Sequence, residues 1–365
     1  MLMIGLLAWT GLAGCGPKFL EEDLGGARHI WTRTNSNRQG TEVVKIQVED
    51  GETAMLATVQ VDAPNQVHFR AVRDPADNEV FQAFEWNESP YSKTNGGFVA
   101  GVATLNWPIV GDDPELYGGR WELEFGVVDD TQTYIGAPLY LDVLLKRDAA
   151  FTSGELAVSI VYTEGLEDDA ELRDAVATAQ GQWRDLYAAM GIDVSFDSYA
   201  FPDTALGPPA YGTEDAYFDI SADTAPRSVN LVISDQIADL PDIFGIAGDI
   251  PGPLVPTSRS AVQISALLAA GPDGKFDAED TRLLAETMAH EVGHYLGLFH
   301  PVEATWDAWD VLDDTPECDQ DRECVTDLGT NLMFPYPVCG PASCTPQSDT
   351  TDEQAAVANR YTGVW

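Results

Sequence analysis

The chain has 365 residues, 44% of them hydrophobic, with nine Trp and only five His. That length accommodates two domains, and that composition builds packed cores rather than disordered polymer. With 19 basic against 60 acidic residues the net charge is −41, which excludes nucleic acid and anionic lipid as partners, because both would be repelled through their phosphates. The acidic residues are spread along the chain rather than confined to a tail. A solvated surface is the plain reading, with adaptation to salt and calcium binding as the others.

Residues 1–13 are apolar yet too few to cross a bilayer, so they read as a targeting segment. The run ends Leu12-Ala13-Gly14-Cys15, which resembles a bacterial lipobox. That resemblance implies a signal peptide over residues 1–14, lipid on Cys15, and a tether over residues 15–24. No Asp follows Cys15, so it also implies the outer membrane or cell surface, with membrane contact through the lipid anchor only. The absence of Lys or Arg before the apolar run departs from the pattern. An ordinary secretory peptide with a chance Cys is the competing reading.

Residues 25–150 read as an all-β sandwich. Val44, Ile46 and Val48 alternate with Lys45, Gln47 and Glu49, the period of a strand with one buried face. Trp121, Leu123 and Phe125 alternate with Glu122 and Glu124, and Leu139, Leu141, Val143 and Leu145 repeat the pattern. Residues 54–61 and 67–72 are further strand candidates. Clusters such as Asn95-Gly96-Gly97 punctuate them, and no helical pattern appears. The stretch 113–125, containing Tyr117-Gly118-Gly119-Arg120-Trp121-Glu122-Leu123, resembles the jelly-roll accessory domains found beside secreted peptidases. His29 and His68 read as strand or surface side chains. An attached module and a removable folded pro-segment are both open for this region.

Past residue 150 the pattern changes. Leu156, Val158 and Ile160 mark a strand, and residues 168–190 read as a helix with Leu172, Val176, Ala179, Trp183 and Leu186 on one stripe and Gly191 as its stop. Residues 194–196, 229–233 and 261–267 are strand candidates. Residues from about 200 to 256, notably Gly245-Ile246-Ala247-Gly248-Asp249-Ile250-Pro251, are rich in Gly, Pro and Asp and read as surface loop near a cleft rim. A helix follows over residues 277–295, with Asp277 as N-cap and Leu284, Met288 and Val292 as its apolar stripe.

That last helix carries the chemistry. Three of the five His fall in His290-Glu291-Val292-Gly293-His294-Tyr295-Leu296-Gly297-Leu298-Phe299-His300. His290 and His294 stand one helical turn apart on the same face. Gly297 can turn left-handed without steric cost and bring His300 back toward them. Three neutral imidazoles and one open position make a catalytic zinc site, and Glu291 stands where a carboxylate can take a proton from water at that position.

The spacing His-Glu-x-x-His-x-x-Gly-x-x-His resembles the metzincin clan of zinc peptidases. Asn331-Leu332-Met333-Phe334 resembles the Met-turn of that clan, in which Met333 would pack beneath the metal. Asp313-Asp314-Thr315-Pro316, Cys318 and the helix opened by Thr351-Asp352-Glu353-Gln354 bring the pattern closest to the pappalysin and ulilysin (cytophagalysin-like) group. Pro301 after the third His matches serralysins instead, and Tyr336 stands three residues after Met333 rather than two. The resemblance covers about residues 155–365, is densest from His290 onward, and implies that residues 151–365 form an α+β zincin domain with a twisted mixed sheet above the active-site helix. It also implies calcium in the acidic stretch holding Asp307, Asp310, Asp313 and Asp314, where a solvated loop is the alternative.

Cys318, Cys324, Cys339 and Cys344 are an even, clustered set in an exported chain, which reads as two disulfides of open connectivity, with a second zinc site as the rival. The expected function is a zinc-dependent endopeptidase acting on protein or peptide at a bacterial cell surface. The alternative is a non-catalytic zinc-containing adhesion or scaffold lipoprotein whose sandwich binds a ligand.

Overall fold

The computed structural model describes residues 17–365 apart from residues 96, 148–149, 202–204, 272 and 342, and the Asn87 side chain. The targeting segment and Cys15 lie outside the described residues. In the first half the strands are β1 (Leu20–Asp23), β2 (Ala27–Asn35), β3 (Thr41–Val48), β4 (Glu52–Val61), β5 (Gln66–Arg73), β6 (Glu79–Gln82), β7 (Tyr91–Ser92), β8 (Val99–Ala100), β9 (Val102–Trp107), β10 (Gly119–Val128) and β11 (Pro138–Arg147), with one short helix, α1 (Ala83–Asn87). One sheet has the order β1-β2-β11-β4-β9, and the other runs β3-β10-β5-β6 with β8 also on β5.

The alternation read from the sequence sets which faces meet. Trp121 pairs with Ile46, and Leu123 with both Val44 and Val72, and all are buried in one core with Leu139, Leu141, Val143 and Leu145 from the opposite sheet. Two inner faces closing on one apolar layer make a sandwich. Residues 20–23 correct the expected tether: they pair antiparallel with β2 as an edge strand. His68 is buried opposite Val67 and Phe69, its ring 3.9 Å from that of Phe98.

The second half contains β12 (Gly154–Tyr162), α2 (Ala170–Ala188), β13 (Ile192–Ala200), α3 (Ala216–Asp223), β14 (Val229–Ser234), β15 (Gly245–Ala247), β16 (Val262–Ser265), α4 (Ala266–Ala269), α5 (Ala278–Tyr295), β17 (Trp309–Asp310), α6 (Asp321–Leu328) and α7 (Asp352–Arg360). Its sheet runs β13-β12-β14-β16-β15, parallel except for β15, which lies antiparallel at the edge. The Gly-rich stretch expected to be loop therefore contributes a strand at its start. Asp169 caps α2 by accepting from the Glu171 and Leu172 amides, and Leu172, Val176, Ala179 and Trp183 bury against the sheet. A capping box of Asp277 and Asp280 opens α5. The buried Tyr187 hydroxyl donates to Ala289 O at 2.8 Å, tying α2 to α5.

The two halves are joined along one seam. Leu56 and Leu144, on the outer face of the first sheet, belong to the core of the second half. Asn106 accepts from the Thr362 amide and hydroxyl and donates to Arg360 O. The buried Lys146 ammonium donates to Val364 O, and β7 pairs parallel with β17. Disulfides join Cys318 to Cys324 and Cys339 to Cys344, the first of the two readings for those cysteines. Among the described residues no helix is long and apolar enough to cross a membrane.

Candidate metal centre and cleft

α5 projects His290 and His294 from one face, with ring centroids 4.7 Å apart. The helix ends at Tyr295, and Gly297 takes φ +105°. Its amide donates to His294 O and that of Leu298 to Gly293 O, so the chain doubles back and brings in His300. The His300 Nε2 then lies 3.1 Å from His294 Nε2 and 3.3 Å from His290 Nε2. Ligands held about 2.0–2.1 Å from one tetrahedral ion stand about 3.3 Å from each other, so His300 Nε2 stands at that spacing from both helix histidines, and all three donor atoms lie within 4.8 Å of one another.

The outer nitrogens fix the chemistry of the inner ones. His290 Nδ1 lies 2.7 Å from Leu332 O, and His294 Nδ1 lies 2.7 Å from Leu298 O. A carbonyl oxygen cannot donate, so each Nδ1 carries the proton and each Nε2 presents its lone pair to the centre. Burial and the neighbouring His300 push His290 down to about 3, and the same causes push His294 well below its ordinary value. Both rings are thus held neutral, as metal ligation requires. Among the described residues this is the one cluster of three or more His, Cys, Asp or Glu whose donor atoms converge.

His300 Nδ1 meets Glu303 Oε2 at 2.9 Å. Glu303 was not singled out from the sequence, although its position three residues after a ligand was a usable signal. An acidic partner on the outer nitrogen fixes the orientation of the ring. Glu303→Gln is expected to weaken zinc binding about 10–100-fold with little change in melting temperature, as read by competition with a chelator.

Glu291 is buried beneath the edge strand. Burial pushes its carboxyl up to about 8, opposed by a hydrogen bond from the Ala247 backbone. A Cβ at Gly245 would stand 2.5 Å from Glu291 Cγ, so only glycine lets the strand lie this close over the carboxylate. Met333 is fully buried against α5, and a Cβ at Gly293 would stand 2.6 Å from its sulfur. Asn331 Oδ1 accepts from the Met333 amide, and the Asn331 side chain pairs with Gln354 at the start of α7. The turn that seats Met333 also supplies the carbonyl holding His290.

A cleft of about 500 Å³ opens between α5 and β15, lined by all three His, Glu291 and the segment after Met333. Tyr336 lines it, but its hydroxyl donates to Asp321 at 2.8 Å, and burial with that carboxylate pushes it up to about 12.

The acidic stretch is arranged otherwise than expected for calcium. Asp307, Asp310, Asp313 and Asp314 do not converge. Asp314 accepts from the Glu353 amide, Glu353 accepts from the Asp313 amide, and Asp310 Oδ1 accepts from Thr315 and Leu312. Their carboxylates and amides secure the start of α7 and the local turn instead. Asp310 is buried with Oδ2 unpartnered, and burial, helped by Asp314 and Glu353, pushes it from 3.8 to about 7. A carboxyl raised in this way favours the fold below the unfolded value and loses that contribution as pH rises through about 7. Asp310→Asn is therefore expected to be more stable than wild type at pH 8, by up to about 4 kcal/mol. Urea titrations should show the curves meeting near pH 4, and equal stability at pH 8 would contradict the account.

No family model matches the chain, and no curated protein matches it. Among solved structures it is similar to archaemetzincin from Methanopyrus kandleri over 57% of its own length and 88% of that chain, with 15% identity and a TM-score of 0.30. It is also similar to metalloproteinase-II from Bacteroides fragilis, over 53% of its length and 58% of that chain, with 13% identity and a TM-score of 0.29. A third similarity covers 38% of the chain and 87% of the Caldicellulosiruptor saccharolyticus module CBM27-1, solved with mannohexaose, at 16% identity and a TM-score of 0.21. Overlap at these scores is partial, and the chemistry is read from the side chains.

Proposed function

We propose that this chain is a zinc-dependent endopeptidase of the metzincin type, nearest in its motif to the pappalysin and ulilysin group, and exported to a bacterial cell surface on a lipidated Cys15. The observation that carries the hydrolytic reading is the convergence of three imidazole nitrogens within 4.8 Å of one another, with the buried Glu291 one residue along in an open cleft. His290, His294 and His300 would hold the ion, which when bound supplies Lewis acidity toward a carbonyl and toward water.

The protein's own groups do the rest. The Phe244 carbonyl and Gly248 amide bond inward to β16, so by alternation the Gly245 N–H and C=O and the Ala247 C=O face the cleft. An extended peptide can add to that edge as a further strand, which places its scissile bond over the histidines. Glu291 accepts the proton of the attacking water and passes it to the leaving nitrogen. A scaffold that only stored zinc would have no need of a buried carboxylate at this position, since burying one is costly.

Protein lacking residues 1–15, incubated with a proteome-derived peptide library, tests the reading. Cleavage should vanish with chelator and return with zinc. Absence of cleavage by the zinc-loaded protein would favour the scaffold reading. The lipid anchor has a separate check, because labelling with a fatty-acid analogue should be lost in Cys15→Ser.

A further inference from the structure

One wall of the cleft does not come from the half that carries the histidines. Ser92, in β7, a short strand that the sandwich half sends out to pair with β17, lines the same cleft as Ile250, Phe299, His300 and Glu303. The segment around it is fastened to both rims. On one side Asn95 donates from its backbone to Ile250 O at 3.2 Å and from its side chain to Asp249 Oδ1 at 2.6 Å. On the other, β7 pairs with β17, Pro90 O accepts from the Trp309 amide at 2.8 Å, and the Tyr91 hydroxyl donates to Glu317 at 2.7 Å. Lys93 turns back into the sandwich, pairing with Asp113 and lying over the rings of Trp86 and Trp107. The segment is therefore held from three directions, as a wall and not as a trailing loop.

The same contacts limit the free edge. Beyond Ala247 the chain runs to Ile250, whose carbonyl is already taken by Asn95. Three residues of extended chain span about 10 Å, so an added strand meets the sandwich within that distance of β15. The cleft is also lined by Leu283, Phe334 and Tyr336, all from the second half of the chain.

We propose that the sandwich is a permanent wall of the cleft and that Ser92 is a specificity-determining residue, forming with Ile250 and Phe299 a subsite for an apolar substrate side chain on one flank of the scissile bond. This rests on the peptidase reading above. Ser92 is small and shares the cleft lining with the apolar Ile250 and Phe299, so a bulky aliphatic or aromatic group is accommodated there and a larger residue at position 92 displaces it. A pro-segment removed on maturation would take the wall with it, whereas this role needs residues 90–95 in the working enzyme.

The test compares cleavage profiles of the intact zinc-loaded protein and its Ser92→Trp variant on one proteome-derived peptide library, with kcat and KM measured on one good substrate. Wild type should favour apolar residues at one position on one flank. In Ser92→Trp that position should shift toward Gly and Ala, with kcat/KM for bulky residues there down at least about 10-fold through KM. The profile on the other flank and the zinc content should not move. Ser92→Val, a smaller change in the same strand, should shift the same position less and carries the test if the Trp variant melts early. Unchanged profiles in folded variants, or equal losses on both flanks, would overturn the wall while leaving the peptidase reading in place. No cleavage by the wild type would remove that reading and this inference together.

Discussion

On the peptidase reading, Glu291→Ala is expected to retain zinc and fold and to lose peptide hydrolysis by about 10²–10⁴-fold, equivalent to about 3–5 kcal/mol of transition-state stabilisation. The metal survives because Glu291 stands beside the three nitrogens and is outside the converging set. The fold survives because the substitution removes a carboxyl whose burial already pushes it up to about 8, so no favourable ion pair is lost. Zinc content, melting temperature and turnover, measured on the same preparation, separate the base from the ligands. A variant that cleaved at the wild-type rate would place the activity in another site or another protein.

His300→Ala has a different signature, in which metal and activity are lost together. His300 is the one member of the triad outside α5, and without it two nitrogens on a single helical turn remain. Zinc affinity is expected to fall by more than about 100-fold, beyond the range attached to an outer partner such as Glu303. Acid should act on the wild type in the same direction. His290 has its value depressed from 6.5 to about 3, so the unfolded chain takes up a proton below 6.5 that the folded chain refuses. The associated stability is present above pH 6.5 and drains away as pH falls toward about 3, while protons compete with zinc for the same lone pairs. Zinc retention measured between pH 8 and pH 5 should decline, and constant occupancy across that range would argue that the ion is held elsewhere.

What the sequence made legible is what short-range pattern can encode. Strand alternation in residues 42–49 and 139–145 placed the correct side chains in the sandwich core, and the spacing of His290, His294 and His300 described a cluster that α5 and the turn at Gly297 build. Residues whose role depends on a distant partner left no such trace. Ser92 lines the cleft only because β7 docks on β17, more than two hundred positions later. Gly245–Ala247 is a strand because β16 offers it an edge, and in isolation the Gly- and Pro-rich run around it reads as loop. Leu20–Asp23 is polar at three of four positions and becomes a strand only through pairing with β2. The acidic residues after His300 had the composition of a cation site, yet local turns and the start of α7 use them instead. The cysteines could be counted as pairs, but their partners depended on the path of the chain between them.

The seam between the halves has a consequence for how the protein is made. On the flank away from β13, the first residues of β12 lie beyond the reach of β14, whose pairing starts at Val158, and are partnered by residues 364–365, where Glu155 exchanges two backbone hydrogen bonds with Trp365 and Leu156 bridges to Val364. Lys146 and Asn106, from the sandwich, also wait for residues 360–364. During vectorial synthesis the sandwich can close its own core early, while its outer corner at Leu56 and Leu144 waits for the second half to cover it and the neighbouring sheet keeps an open flank until residues 360–365 emerge. Contacts of such long sequence separation form late and slowly. The second half would then be assembled last, against a partner already folded, and the cleft that holds the three histidines would take its final form only once residues 360–365 had joined it.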